Sequence, residues 1–262
     1  QIAAAYLVPE RTMAQRISRA KRTVAAAGLE RLGDVRTVMQ VLYLVFNEGY
    51  SGDVDLAEEA IRLVRQLRTV ADDPEVDGLL ALMLLHHARR ASRTRSDGGI
   101  IPLAEQDRGR WDRTLIVEGV HLLQAALAQD RLGEYQAQAA IAALHADAQR
   151  VEETDWVQIV EWYDELLALT DTPIIRLNRA VAVGEADGAP AGLAALAEVE
   201  EGVLRRNAVA AYLHERNGDL ELAAALYVAA ANDAVDIAER DHQTRQAARV
   251  NQRRRRDPSS RH

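Results

Sequence analysis

Residues 72–87 of the chain read DDPEVDGLLALMLLHH. Asp72 and Asp73 stand directly before Pro74, a residue that is tolerated in the first turn of a helix, so the segment predicts a helix that begins there. Its apolar residues, from Leu79 to Leu85, lie nearly all round the helix instead of on one face. Because a helix without a polar face is buried, we expect this one at the centre of a helical core.

Helical patterns also occupy the rest of the chain. An apolar helix is predicted over 36–50, with Gly49 as its stop, and an amphipathic helix from Asp55 to about Val70. A polar loop is expected over 92–103. Further helices are predicted near 112–129, 133–149, 154–169, 173–185, 189–201, 203–217 and 219–240.

The later helices show a repeat. Gly184 and Gly218 lie 34 residues apart, and the same register aligns two alanine pairs, Ala191 with Ala225 and Ala195 with Ala229. A period of this length, with alanine where helices approach closely, is typical of tetratricopeptide-like (TPR-like) helix pairs. We therefore predict an all-α protein whose residues 36–252 form a TPR-like solenoid. The alternative is a generic helical bundle in which the spacing arises by chance.

Composition excludes several classes of protein. The chain of 262 residues contains no cysteine, which rules out disulfides, thiolate catalysis and cysteine-ligated zinc. It contains no run of 18 apolar residues, so no membrane span is predicted. These features together lead us to expect a cytoplasmic protein.

Charge is distributed unevenly along the chain. The overall net charge is −8, but residues 1–31 carry +4 and residues 253–262 also carry +4, which leaves −16 on residues 32–252. A basic head on an acidic body predicts that only the head contacts nucleic acid. The tail, 253–262, is predicted to be disordered.

The head resembles a helix-turn-helix that is truncated at its start, over residues 1–27. Pro9 ends a first helix, and Thr12 can cap a second. The second helix presents the side chains that suit the major groove of DNA, where arginine reads guanine and glutamine reads adenine. Its candidate DNA-binding residues are Arg11, Thr12, Gln15, Arg16, Ser18, Arg19, Lys21 and Arg22. The alternative is a short amphipathic helix whose arginines are merely solvated.

The loop Asp97-Gly98-Gly99-Ile100 is a candidate regulatory element. Its two glycines permit a tight turn or the close approach of another backbone, and Asp97 can fix the turn by bonding to its own backbone. A plain connector is the alternative.

Catalytic and metal-binding motifs are weak. Glu118 and His121 form one Glu-x-x-His pair, which is half of what a di-iron bundle uses, and the sequence shows no second copy. The histidines at 86, 87 and 145 fit packing or surface positions better than a site. With no phosphate-binding loop after a strand and no nucleophile motif, we predict no enzyme activity, no metal and no cofactor.

Several short motifs resemble one subgroup of extracytoplasmic-function sigma factors, whose sigma domains are followed by a long TPR-like extension. In the head these are Ile2-Ala3, Leu7-Val8-Pro9-Glu10, Thr12-Met13, Arg16-Ile17 and Arg19-Ala20-Lys21. In the body they are 42–50, Asp97-Gly98-Gly99-Ile100, Gln106-Asp107-Arg108 with Arg110-Trp111-Asp112, Thr154-Asp155-Trp156 and Leu177-Asn178-Arg179-Ala180. The resemblance extends to about residue 240.

The resemblance implies a function. Gln15, Ser18 and Arg19 would face the bases of the −35 promoter element. The residues that would suit phosphate contacts or helix packing are Arg11, Thr12, Arg16, Lys21 and Arg22. The partners implied are promoter DNA, core RNA polymerase through the full-length protein, and an intramolecular contact between extension and sigma domains. The chain lacks the polymerase-binding second region of that family and the first half of the fourth region, so we expect a fragment of a longer protein.

Two other functions remain open on the sequence alone. One is an interaction scaffold whose basic helix is a docking peptide. The other is a one-component transcriptional regulator that binds a small ligand in the concave face of the solenoid.

Overall fold

The computed structural model describes residues 34–49, 56–95, 99, 101–235 and 237–256. The regular elements in this part of the chain are helices, so the predicted all-α class is confirmed. The α-helices are Val35–Gly49 (α1), Leu56–Arg68 (α2), Pro74–His87 (α3), Arg90–Arg93 (α4), Arg113–Leu127 (α5), Glu134–Asp147 (α6), Trp156–Leu169 (α7), Pro173–Ala186 (α8), Ala189–Ala197 (α9), Arg206–Asn217 (α10), Leu220–Asp233 (α11) and Ile237–Arg256 (α12). Short 3-10 helices span Leu103–Glu105, Arg108–Arg110 and Val151–Glu153.

Helix α3 lies at the centre of the first half of the structure, as its sequence predicts. Asp73 caps it by accepting a hydrogen bond from the backbone N–H of Glu75, and Pro74 occupies its first turn. Every side chain from Leu79 to Leu85 is almost fully buried. Helices α1, α2, α5 and α6 pack around it, so the apolar surface on all its sides is covered.

The contact between α3 and α6 is very close. Gly78 of α3 lies so near α6 that a Cβ atom there would stand 2.7 Å from Cγ of Gln136. The carboxylate of Glu75 accepts hydrogen bonds from the backbone N–H groups of Tyr135 and Gln136, at 2.9 and 3.0 Å. A carboxylate at this position satisfies donors that a helix N-terminus leaves free. Burial raises the pKa of Glu75, and these hydrogen bonds oppose the rise.

The second half of the described chain has a solenoid-like arrangement. From α6 to α12, each helix packs against the one before it. Its buried side chains accordingly form separate clusters that follow one another along the chain, around Ile159, then Leu177 and Leu213, then Tyr227 and Val250. Helix pairs therefore recur as the repeat predicts.

The predicted repeat register, which aligns Gly184 with Gly218, is wrong because the two glycines have different structural roles. Gly184 lies inside α8, where α8 and α9 touch: a Cβ atom on the facing Gly192 would stand 2.7 Å from its Cα. Gly218 instead follows the end of α10 with a φ of 89°, and its N–H bonds back to the last turn of that helix. One glycine permits close packing and the other permits a left-handed cap, so a shared residue type aligned two unrelated roles.

The C-terminal region differs from its prediction in two places. The helix expected over 219–240 is two helices, α11 and α12, with Ala234 extended between them. Residues 253–256, predicted as the start of a disordered tail, continue α12. Arg253 pairs with Glu215, and Arg254 with Glu221, so basic side chains that look free in the sequence contact acidic partners on the neighbouring helices. The remainder of the tail, 257–262, lies outside the described residues.

Among the described residues, none of the helices combines the length and the apolar character that crossing a bilayer requires.

Candidate binding groove

The residues predicted to read DNA, all within 11–22, lie outside the described part of the chain. So do Asp97, Gly98 and Ile100 of the predicted regulatory loop, whereas Gly99 is described. The Gly99 carbonyl accepts a hydrogen bond from the backbone N–H of Arg95 at 2.8 Å, and Ile101 donates to the carbonyl of Arg93 at 2.8 Å. Backbone hydrogen bonds therefore hold together the two chain segments that flank the loop.

The segment after the loop is fixed by side-chain caps. Gln106 donates through Nε2 to the carbonyl of Ile101 at 3.0 Å. Asp107 accepts from the N–H of Gly109, and Asp112 caps α5 by accepting from the first N–H groups of that helix. These residues belong to the motif that carries the family resemblance, and in the structure they shape the chain between the loop and α5.

Arg108 ties this segment to the far end of α6. Its side chain is buried, and Nη1 donates to the carbonyls of His145 and Ala148, both at 2.6 Å. A cation at a helix C-terminus interacts favourably with the helix dipole. The guanidinium also lies 4.9 Å from the ring centre of Trp111, whose indole N–H donates to Ser92. Burial lowers the pKa of Arg108, and Glu152 and Glu153 oppose that change.

A cavity of about 730 Å³ opens beside Arg108, between the segment after the loop and helices α6, α7, α8 and α10. Four of its lining residues come from three motifs that carry the resemblance: Arg108, Thr154, Trp156 and Asn178. These motifs are far apart in sequence and meet only in the folded chain. The volume lies in the range of known ligand pockets.

Two further cavities extend the central one. A cavity of about 490 Å³ on the side of α1 and α3 shares Leu103, His145, Tyr163 and Asn178 with it. A cavity of about 450 Å³ on the side of α12 shares Ala104, Tyr212 and Arg216. We call the three cavities together the groove.

The wall of the groove contains aromatic side chains and ion pairs, and the carboxylates of Glu105, Glu134 and Glu152 also line it. Glu185 accepts a hydrogen bond from the hydroxyl of Tyr212 and forms an ion pair with Arg216 at 3.3 Å. Glu215 pairs with Arg249 at 2.6 Å and accepts from the hydroxyl of Tyr227. Burial, followed by the neighbouring carboxylate, raises the pKa of both tyrosines.

Two of the three histidines that line the groove are uncharged at neutral pH. Burial and nearby arginines lower the pKa of His86 to about 3 and that of His145 to about 4. The His145 ring packs edge-on against Trp156, with ring centres 5.2 Å apart. Burial alone raises the pKa of Tyr163 to about 12. The central cavity thus offers aromatic surface at Trp156 and Tyr163 beside the charged side chains of Arg108 and Glu152.

Two buried polar groups of the groove lack a hydrogen-bond partner within the described chain. The hydroxyl of Thr154 and Oε1 of Gln243 are buried and unpaired. The amide of Asn178 is exposed where two of the cavities meet. Buried polar groups are nearly always hydrogen-bonded in native proteins, so unpaired ones beside a cavity mark positions where a ligand can bond.

The pair that suggested half of a metal site is used differently. Both carboxylate oxygens of Glu118 accept from Nη2 of Arg65, at 2.7 and 2.9 Å. Within the ranges that the structure describes, no group of three or more histidine, aspartate or glutamate side chains is placed to hold a metal ion.

Sequence reasoning missed several groove residues, among them Tyr212, Arg216, Glu185 and Gln243. Tyr212 and Arg216 are four positions apart and share a helix face, which was the available signal. The sequence did not indicate that this face lines a groove, because that depends on how α10 packs against α8.

Comparison with known proteins matches part of the chain to a family without an assigned function. Residues 34–127 match a family of unknown function, DUF6596. The match begins at the residue before α1 and ends with α5, and so covers α3 and three of the four helices packed around it, without α6. An uncharacterized protein of Rhizobium meliloti (strain 1021) is 46% identical over 210 residues, which are 74% of this chain and 50% of that protein. The chain therefore spans about half the length of that relative. No solved structure matches the chain.

Proposed function

We propose that the chain is part of an RNA polymerase sigma factor, in which the head, 1–27, reads the −35 promoter element and the described helices regulate it in cis. The observation that carries the proposal is the meeting of Arg108, Thr154, Trp156 and Asn178 at one cavity. These residues belong to three separate motifs of the resemblance, and their convergence supports a shared role. The matched family has no assigned function and is compatible with such an extension.

The geometry around the loop suggests how regulation would work. The residues that follow Asp97-Gly98-Gly99-Ile100 line the groove, and Arg108 fixes them to the end of α6. A contact made at the loop would therefore shift the residues that line the groove, and a contact made in the groove would shift the loop. The net charge of −16 on residues 32–252 and of +4 on residues 1–31 favours an intramolecular contact between body and head.

The decisive experiment uses the full-length protein. It should bind core RNA polymerase and direct transcription from a cognate promoter in a reconstituted assay. A folded full-length protein that does neither contradicts the proposal, and it would then favour a scaffold or a ligand-sensing regulator.

DNA reading by the head is tested at Arg19. In the full-length protein, Arg19→Ala should weaken specific promoter binding by about 1–3 kcal/mol if one bidentate base contact is lost. Arg31→Ala, which removes a charge outside residues 11–22, is the matched control and should change affinity less and without altering sequence preference. An unchanged promoter preference in Arg19→Ala contradicts the assignment.

Variants of the loop distinguish a regulatory element from a plain connector, because the two roles predict changes in different properties. The double variant Asp97→Ala, Gly98→Ala should alter promoter output while the melting temperature stays within about 2 °C of the parent, which corresponds to surface changes. A large fall in melting temperature with unchanged output would assign the loop a structural role only.

A further inference from the structure

The last helix of the described chain ends in a strongly basic region. Between His242 and Arg256, α12 contains six arginines and no aspartate or glutamate. Residues 32–252 as a whole carry a net charge of −16, so this region is a basic end on an acidic body. The structure places residues 253–256 in the helix and not in a tail, so their side chains have fixed positions relative to one another.

Four of the arginines recur at spacings of four, four and three residues, which places them on the same side of an α-helix. They are Arg245, Arg249, Arg253 and Arg256, and we call them the basic face. All four are exposed, and the side chains of Arg249 and Arg253 keep 51% and 62% of their accessible surface. At a rise of about 1.5 Å per residue, the basic face extends over about 16 Å along α12.

The nearby carboxylates balance only part of this charge. Glu215 pairs with Arg249 at 2.6 Å and with Arg253 at 3.7 Å, so one negative charge is shared between two arginines. Glu105 also lies close enough to act on Arg249. The guanidinium groups of Arg245 and Arg256 have no hydrogen-bond or ion-pair partner among the described residues. Four guanidinium groups thus face two carboxylates, which leaves a surplus of two positive charges.

Stabilisation of the helix end accounts for only some of these arginines. The helix dipole favours cations in the last turn, where Arg253 and Arg256 lie. The effect falls off beyond that turn, whereas Arg249 and Arg245 lie about two and three turns before the end. A row of exposed arginines along a helix is typical of a surface that meets a polyanion.

The other side chains of α12 narrow the choice of polyanion. Ala247 and Val250 are buried in the contact with α11, so this end of the helix offers a lipid bilayer charge but no apolar face. Single-stranded nucleic acid stacks its bases on aromatic side chains, and α12 contains no phenylalanine, tyrosine or tryptophan. A duplex presents phosphates at about 3.4 Å intervals along each strand, so a face of about 16 Å spans about five of them.

We propose that the basic face of α12 binds the phosphate backbone of double-stranded DNA without reading its sequence. Contacts to the backbone position a protein on a duplex and carry no sequence information. The head would supply specificity, and the basic face would add affinity from the other end of the chain. The choice of DNA over an RNA duplex rests on the proposed function, whereas the phosphate contact rests on the arginines of α12.

The test measures binding of the full chain to a fluorescein-labelled duplex of about 30 base pairs without promoter sequence, by anisotropy at several salt concentrations. The double variant Arg245→Gln, Arg256→Gln removes the two unpaired guanidinium groups. The logarithm of its association constant should fall less steeply with the logarithm of salt concentration, by about 1 for each lost contact and about 2 in all. At about 0.1 M salt, its binding should be at least about tenfold weaker than that of the parent.

Two further variants separate the basic face from net charge and from folding. Arg110→Gln, Arg113→Gln removes the same number of charges from exposed positions at the start of α5, and it should leave the salt dependence unchanged. Arg245→Lys, Arg256→Lys should keep the salt dependence of the parent, because counterion release depends on charge. If the glutamine double variant is less folded by circular dichroism, the two single variants replace it, each with an expected change in slope of about 1.

Three results would overturn the proposal. The first is equal salt dependence of the glutamine double variant and its control at 110 and 113. The second is displacement of the duplex by polyglutamate or anionic phospholipid vesicles as effective as that by unlabelled duplex at equal negative charge. The third is preferential binding of an RNA duplex of the same sequence.

None of these measurements uses promoter DNA or RNA polymerase. A full-length protein that directs no transcription, but whose glutamine variant shows the expected loss of salt dependence, would contradict the proposed function and leave the backbone contact standing.

Discussion

Arg108→Met should lower the free energy of unfolding by about 2–4 kcal/mol. The parent side chain makes two hydrogen bonds of 2.6 Å to the carbonyls of His145 and Ala148. A hydrogen bond from a charged donor contributes about 1.5–3 kcal/mol, and a partly buried cation at a helix C-terminus contributes up to about 2 kcal/mol. These contributions overlap. Methionine keeps the apolar stem and escapes the cost of burying a charge, which reduces the net loss to the range given.

The assay is urea unfolding of the full chain, followed by far-UV circular dichroism. Arg110→Met is the matched control, because Arg110 lies in the same 3-10 helix, is exposed, and has a guanidinium without a hydrogen-bond or ion-pair partner among the described residues. We expect it to change stability by no more than about 0.5 kcal/mol. Arg108→Lys should recover part of the loss, since it keeps the charge without the planar fork that reaches two carbonyls.

Equal effects of Arg108→Met and Arg110→Met would refute the reasoning. They would show that the bonds to α6 contribute nothing beyond a solvated surface charge. A changed slope with denaturant would instead indicate that two-state unfolding had been lost, and the comparison would then use melting temperatures.

Three further predictions concern packing, pH and capping. Gly192→Ala should lower the free energy of unfolding by about 1–3 kcal/mol, and by more than Gly184→Ala does. A Cβ atom at 192 would meet backbone atoms at 2.7 and 2.9 Å, whereas one at 184 would first meet the end of a leucine side chain. Urea unfolding of both variants measures the difference. The folded-state pKa values of His86 and His145 lie below the value of 6.5 in the unfolded chain, so below pH 6.5 the unfolded state binds more protons. The free energy of unfolding should therefore be highest above pH 6.5 and should fall by about 1.4 kcal/mol per pH unit for each histidine as the pH decreases toward about 4. Glu75, with its raised pKa, acts in the opposite direction, and a melting temperature that stays constant from pH 7 to 5 would contradict the histidine assignment. Glu75→Ala leaves two N–H groups at the start of α6 without their acceptor and should cost about 1–3 kcal/mol in the same unfolding assay.

Local patterns predicted most of the secondary structure. The helix at Pro74 follows from an aspartate cap and a first-turn proline, both of which act within a few residues. Its burial follows from the absence of a polar face. The predicted and observed boundaries of the other helices differ where a single residue sets the boundary. Arg205, for example, adopts a left-handed conformation, so α10 begins at residue 206 instead of the predicted 203.

The site could be predicted only in part. Motifs pointed to Arg108, Trp156 and Asn178 without indicating that they share a cavity. The 34-residue glycine spacing gave a wrong repeat register, because glycine permits close helix packing at 184 and a left-handed helix cap at 218. The assignments to the head, 11–22, and to Asp97, Gly98 and Ile100 remain predictions.

The sequence by itself determined that the described chain is helical and that residues 79–85 are buried, because propensity, capping and periodicity act over one or two turns. Only the tertiary structure decided that Arg108 bonds to carbonyls at 145 and 148, that Glu75 caps α6, and that aromatic side chains line a groove beside Leu103 and Ala104. These contacts join positions tens of residues apart. Their partners depend on which helix faces meet, and that is fixed by the packing of whole helices against one another.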